Sequence, residues 1–168
     1  KYAAVIAGFI LLGSIALIKG KNLRSDEIYN RYYEAYAIET GTPSRSAGTG
    51  SASNSYFLTA VDYYNVSDYY NAALYFSKVL DSEPGNMESR MLYGVSNFEQ
   101  LNYPVAEESF NDVIRDNNNY FIEDAQWYLA WCYIKTDEKA KAIDQLTLIG
   151  NSSSLYRDKA RKVLRKMK

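Results

Sequence analysis

One unit of about 34 residues constrains this chain more than any other feature. It begins near Asn54 and comes round again twice. In its second half a small residue recurs at Ala72, Ala106 and Ala142, and a large apolar one follows four positions later at Phe76, Phe110 and Leu146. An earlier helix in each unit centres on Ala60, Gly94 and Ala130, and both sets of small residues are 34 and 36 apart. Small residues where two helices cross, with a bulky one beside them, describe helix–turn–helix units that stack through a shared core. The expected fold is therefore all-α, with three such repeats over 56–154.

The pattern resembles the tetratricopeptide (TPR) repeat family over roughly Asn54 to Ser154. The match includes Tyr63 and Tyr133 three residues after the small one, and Pro84 closing the first unit. The second unit departs from it, with Asn97 where the tyrosine belongs and Phe98 beside it. The resemblance implies an α-solenoid whose first helices line a concave groove. Counting from the small residue, the inward positions are Phe57, Met91 and Trp127, then Val61, Val95 and Trp131, then Tyr64, Phe98 and Ile134, with Asn65, Glu99 and Lys135 at the edge. Such an apolar, aromatic trough suits a peptide. Alternatively, its rings fill it themselves, or the 25–39 segment or the linker covers it. Chaperone-binding relatives grip a peptide carboxylate with Lys, Asn and Arg. Here only Asn65 fits that pattern, and Phe57 stands where a lysine belongs, so a carboxylate clamp is not expected.

Charge divides the chain. Residues 25–156 hold 8 Lys/Arg against 19 Asp/Glu, whereas 157–168 hold 7 against 1 and 1–24 hold 4 against none. An acidic body between basic ends opposes nucleic-acid binding.

Tyr2 to Ile18 carries no charge, and 17 helical residues reach about 26 Å, close to the ~30 Å of a bilayer core. The expectation is a transmembrane helix over 1–18, and the repeated small residues Ala4/Gly8 and Ala3/Ala7 could pack it on another helix. Residues 19–40 form a juxtamembrane segment with a short amphipathic helix from Ser25 to Glu39. Ser25 or Asp26 is its cap, and Ile28, Tyr32, Tyr33 and Tyr36 form an aromatic face expected to dock on the first repeat. The Gly/Ser/Thr-rich run 41–55 reads as a flexible linker. A basic helix over 155–168 puts Leu155, Ala160, Val163, Leu164 and Met167 on one stripe, as a cap for the last open face requires.

Chemistry finds little to work with. No histidine is present, so the commonest general base and metal ligand are missing. Cys132 lies between Trp131 and Tyr133 inside a helix, where a buried, inert thiol is expected. The acid pairs Glu107-Glu108, Glu123-Asp124 and Asp137-Glu138 are neighbours in sequence and do not face each other on a helix. Asp116-Asn117-Asn118-Asn119 lacks the glycine and closing glutamate of a calcium loop. No catalytic residue, metal or cofactor is expected, and no small-molecule substrate.

A single span, then Asp26-Glu27-Ile28-Tyr29-Asn30-Arg31-Tyr32-Tyr33-Glu34-Ala35-Tyr36, then repeats, also resembles a group of inner-membrane proteins of Gram-negative bacteria. In those, a small cytoplasmic region precedes the span and the repeats lie in the periplasm. Relatives often have proline where this chain has Ala37. Lys19, Lys21 and Arg24 on their own favour a cytoplasmic body, whereas the layout implies a periplasmic one, which is the expectation adopted. The function implied is a membrane-anchored scaffold that binds a protein or peptide in its groove. The alternative is an accessory subunit of a membrane complex, held through its span and convex face.

Overall fold

The computed structural model describes residues 23–38 and 52–168, which form helices joined by turns and irregular segments, with no strand among them. The expected span 2–18 lies outside them. Among the described residues no helix is long and apolar enough to cross a membrane.

Eight helices follow one another among those residues: α1 Ser25–Tyr32, α2 Ala52–Asn65, α3 Tyr69–Ser82, α4 Met87–Glu99, α5 Tyr103–Asp116, α6 Ile122–Lys135, α7 Lys139–Asn151 and α8 Arg157–Met167. From α2 onward each helix packs against the next, α4 also touches α6, and α1 lies against α6 and α8. The result is a solenoid-like stack of helical hairpins.

Each hairpin turns in the same way. Ser67, Leu101 and Asp137, themselves 34 and 36 apart, all have left-handed backbone, at φ 60°, 64° and 59°. In each turn that residue donates its N–H three residues back, to Tyr64, Phe98 or Ile134. The next N–H reaches five residues back, to Tyr63, Asn97 or Tyr133. This double closure satisfies the orphan carbonyls at a helix end and usually employs glycine. Here a serine, a leucine and an aspartate do it. After the first of these turns the next helix starts on a polar cap: Asp68 accepts from the N–H of Asn71 at 3.2 Å. Asn86 does the same for Ser89 at 3.0 Å, one hairpin on.

The small residues sit at the crossings. Ala60, Ala72, Ala106, Ala130 and Ala142 are fully buried, as are Phe76, Phe110 and Leu146. Gly94 is the tightest point: a Cβ there would lie 2.8 Å from Cε1 of Phe110 and 3.0 Å from Cβ of Ser109. Asn97 replaces the tyrosine of the other hairpins by bonding inward. Its Nδ2 donates to the carbonyl of Tyr93 at 2.9 Å, and its Oδ1 accepts from Nδ2 of Asn102 at 3.0 Å.

Four expectations are corrected. The juxtamembrane helix stops at Tyr32 instead of Glu39, and the chain leaves it extended at Tyr33 (φ −71°, ψ 136°). Arg24 is its cap, with Glu27 accepting the Arg24 N–H at 3.1 Å. Residues 52–55, read as linker, are already the first turn of α2, while 39–51 lie outside the described residues. Leu155 is 91% exposed, because α8 begins two residues later and buries Ala160, Val163 and Met167 without it.

α8 is fastened at its start by acids of α6. Glu123 accepts from Ser154 Oγ at 3.1 Å and from the Leu155 N–H at 2.9 Å. Tyr156 donates to Asp124 and stacks on Trp127 at 5.2 Å. Along the helix, Arg161 Nε donates to the carbonyl of Gly150 at 2.7 Å.

Candidate functional site

The inner helices α2, α4, α6 and α8 form a trough, and residues 23–38 run through it. This strap meets all four. The Leu23 N–H donates to the carbonyl of Lys166 in the last turn of α8 at 3.1 Å. Ser25 Oγ donates to Asp137 at 2.8 Å. Asp26 faces Lys135 of α6 at 3.8 Å, and the Lys135 ammonium stands 4.4 Å from the centre of the Tyr29 ring. Ile28 is fully buried, beside Ile134 and Met167.

Beyond the helix the strap is held as an extended peptide is held. The Tyr33 ring stacks on Tyr29 at 4.4 Å and lies 5.4 Å from Phe98. It stands edge-on to Trp131 at 5.6 Å and to Tyr128 at 6.1 Å. Its hydroxyl donates to the Glu99 carboxylate. The carbonyl of Glu34 accepts from the Tyr128 hydroxyl, and that of Tyr36 from the Tyr64 hydroxyl, each at 2.8 Å. The Glu34 carboxylate meets Lys159 Nζ of α8 at 2.6 Å, and the Tyr36 ring stands edge-on to Tyr128 at 5.7 Å. Each such ring pair contributes about 0.5–1.5 kcal/mol beyond its buried area.

Burial dominates the electrostatics here. It pushes the Tyr33 phenol far above its ordinary value, with the Glu99 hydrogen bond acting the same way. Tyr64 and Tyr128 are raised chiefly by burial too, and Tyr29 is pushed up to about 12. All four remain neutral donors at physiological pH. Burial also raises the Glu99 carboxyl, although the Tyr33 hydroxyl pulls the other way. The Cys132 thiol is buried and pushed upward, so it holds little of the thiolate that nucleophilic chemistry needs.

Of the expected groove positions, Met91, Val95, Phe98, Trp127, Trp131, Ile134 and Tyr64 are buried, whereas Phe57 and Val61 are half-buried. Asn65 is exposed at the end of α2. Tyr64, Phe98 and Trp131 converge on the strap. Trp127 instead pairs with Trp131 and Tyr156, and Phe57 packs on Phe76. The strap was expected to dock on the first repeat. It lies mainly on α6 and α8 and reaches α2 through Tyr64. Periodicity missed Tyr128, because the matching positions are Leu58 and Leu92, and it missed Lys159, which belongs to no repeat. The available signal was complementarity: an acid beside tyrosines at 33–36 answers a lysine and ring hydroxyls.

No protein-family model matches the chain, and no curated protein matches it.

Proposed function

We propose that this chain is a membrane-tethered, tetratricopeptide-type scaffold that binds a protein or peptide partner, and not an enzyme. The repeat assignment is supported by the shared register of small residues, left-handed turns and buried large apolar positions. One observation carries the functional reading: the trough already holds an extended segment by its rings and its backbone carbonyls. This is the way peptide grooves grip, with main-chain bonds supplying affinity and side-chain slots supplying specificity. The tether rests on the uncharged run 2–18. The layout resemblance supports a bacterial inner membrane as its site, with the stack on the periplasmic side.

A second reading is an accessory subunit of a membrane complex that binds through its outer surface. It is favoured by the strap's occupation of the trough and by apolar side chains left open on the first hairpin. Leu58 is 56% exposed, Tyr70 70% and Leu74 44%. A photo-crosslinking residue placed at Asn65, where the trough ends, or at Tyr70 on α3 separates the two in native membranes. Adducts from position 65 are expected; adducts from position 70 alone move the function to the outer face. Resistance of the full chain to alkaline extraction checks the tether.

A further inference from the structure

We infer that the strap is a resident ligand, and that the groove's outside partner is an extended peptide of the pattern tyrosine–acid–any–aromatic that takes its place. This deepens the reading of the trough as a peptide site and rests on it. Residues 33–36, Tyr-Glu-Ala-Tyr, display what the groove reads. The first ring enters a slot of Phe98, Tyr128 and Trp131, and its hydroxyl meets Glu99 at the end. A phenylalanine would fill the slot and leave that carboxylate without its donor, and sites built to bond a hydroxyl reject the analogue lacking it. The acid that follows reaches Lys159. The carbonyls one and three positions after the first ring are taken by hydroxyls of Tyr128 and Tyr64, which any extended backbone can offer. Three of the four side chains are read, at 33, 34 and 36, and position 35 contributes main chain alone.

Occupation in cis has an energetic consequence. A segment on the same chain competes at the high effective concentration of a tethered group. A partner's apparent affinity is lowered by the fraction of molecules whose groove is closed. The segment is also the one least joined to the repeat units, since α1 has only eight residues and the rest of the strap is not helical. Local opening of the strap, without unfolding of the stack, is therefore the route by which the groove becomes available.

The test uses the full chain in detergent and a labelled synthetic peptide spanning Asn30 to Ile38. An opened chain carries Tyr33→Ala, Glu34→Ala and Tyr36→Ala. It is expected to bind the peptide at least ten-fold more tightly than the wild-type chain does. Peptides with Tyr33→Phe or Tyr33→Ala should bind the opened chain about ten-fold more weakly than the parent. A Glu34→Lys peptide should be weaker by up to about five-fold, as befits an exposed ion pair, and Lys159→Glu in the opened chain should recover it. A folded opened chain that ignores the peptide overturns the inference. If the opened chain loses its helical circular dichroism, hydrogen exchange of the wild-type chain decides. Amides 33–38 exchanging much faster than those of α4 and α6 support a displaceable strap; equal protection overturns it. A wild-type dimer that dissociates on Tyr33→Ala would make a second copy's strap the occupant, and the outside partner would fall. Failure of peptide binding leaves crosslinking from position 65 untouched, so this inference and the reading of the trough as a partner site fail separately.

Discussion

The first and third hairpins follow the same pattern and end up in different environments. α2 and α3 place Ala60, Ala72 and Phe76 where α6 and α7 place Ala130, Ala142 and Leu146, and all six are buried. Yet α2 buries three residues and α6 buries eight. The cause is neighbours. α6 packs against α5, α7, α4 and the strap's helix, whereas α2 packs chiefly against α3. In a stack whose stability is a sum of units and their interfaces, position counts as much as the unit's own residues. The strap adds to the imbalance by lying on the better-covered end.

The largest test removes that cover. Truncation after Ser154 deletes α8, uncovers Leu146 and Ile149 and takes away Lys159 and Lys166. The fragment is expected to aggregate or to lose its cooperative thermal transition by circular dichroism. A well-folded fragment would show that the third hairpin does not depend on what covers it. Next, Trp131→Ala and Phe57→Ala set the two ends against each other. Loss of the buried tryptophan should cost about 3–5 kcal/mol; the half-buried phenylalanine of α2 should cost roughly half as much. Equal losses in urea unfolding would end the contrast. Between them lies Gly94→Ala, at a position where both other hairpins already carry a Cβ. Overpacking against Phe110 costs about 1–3 kcal/mol, of which the better helix propensity of alanine returns up to ~1 kcal/mol. A net fall in the thermal midpoint is expected.

The smallest effect belongs to pH. Burial raises the Glu99 carboxyl, so its folded pKa exceeds its unfolded one. Its contribution is full below the ordinary glutamate range and is lost as pH rises through the raised value. Strap amides 33–38 should therefore exchange faster, relative to α4 and after correction for intrinsic rates, as pH climbs through that window. Glu99→Gln should flatten the change.

How much of this could be seen in the sequence follows from what each feature requires. A crossing tolerates only a small side chain, so Ala60, Gly94 and Ala130 announced the stack by their spacing. The turns were not legible, because Ser67, Leu101 and Asp137 carry none of the glycine signal that a left-handed residue usually gives. The strap was half legible. Its aromatic face was visible, but Ala35 and Ala37 are good helix residues and nothing local stops the helix at Tyr32. It stops because the slot around Tyr33 and the hydroxyls of Tyr64 and Tyr128 demand extended chain, and tertiary contacts override propensity. In the groove the recurring positions led to Phe98 and Trp131. Tyr128 stayed hidden because no other repeat has a tyrosine there.

The hydrogen bond from Leu23 to Lys166 has a consequence for biosynthesis. The strap is made before every helix that receives it, and its bonding partners stand 28 to 143 residues further along, from Tyr64 to Lys166. At about 5–20 residues per second, the aromatic run from Tyr29 to Tyr36 waits roughly 7–30 s while its groove is still being translated. Contacts so distant in sequence form late, since the intervening loop must close before they are rewarded. Seating of the strap therefore registers that α8 has arrived. A nascent chain stalled short of α8 keeps its tyrosines in the open, where a chaperone or a protease can find them.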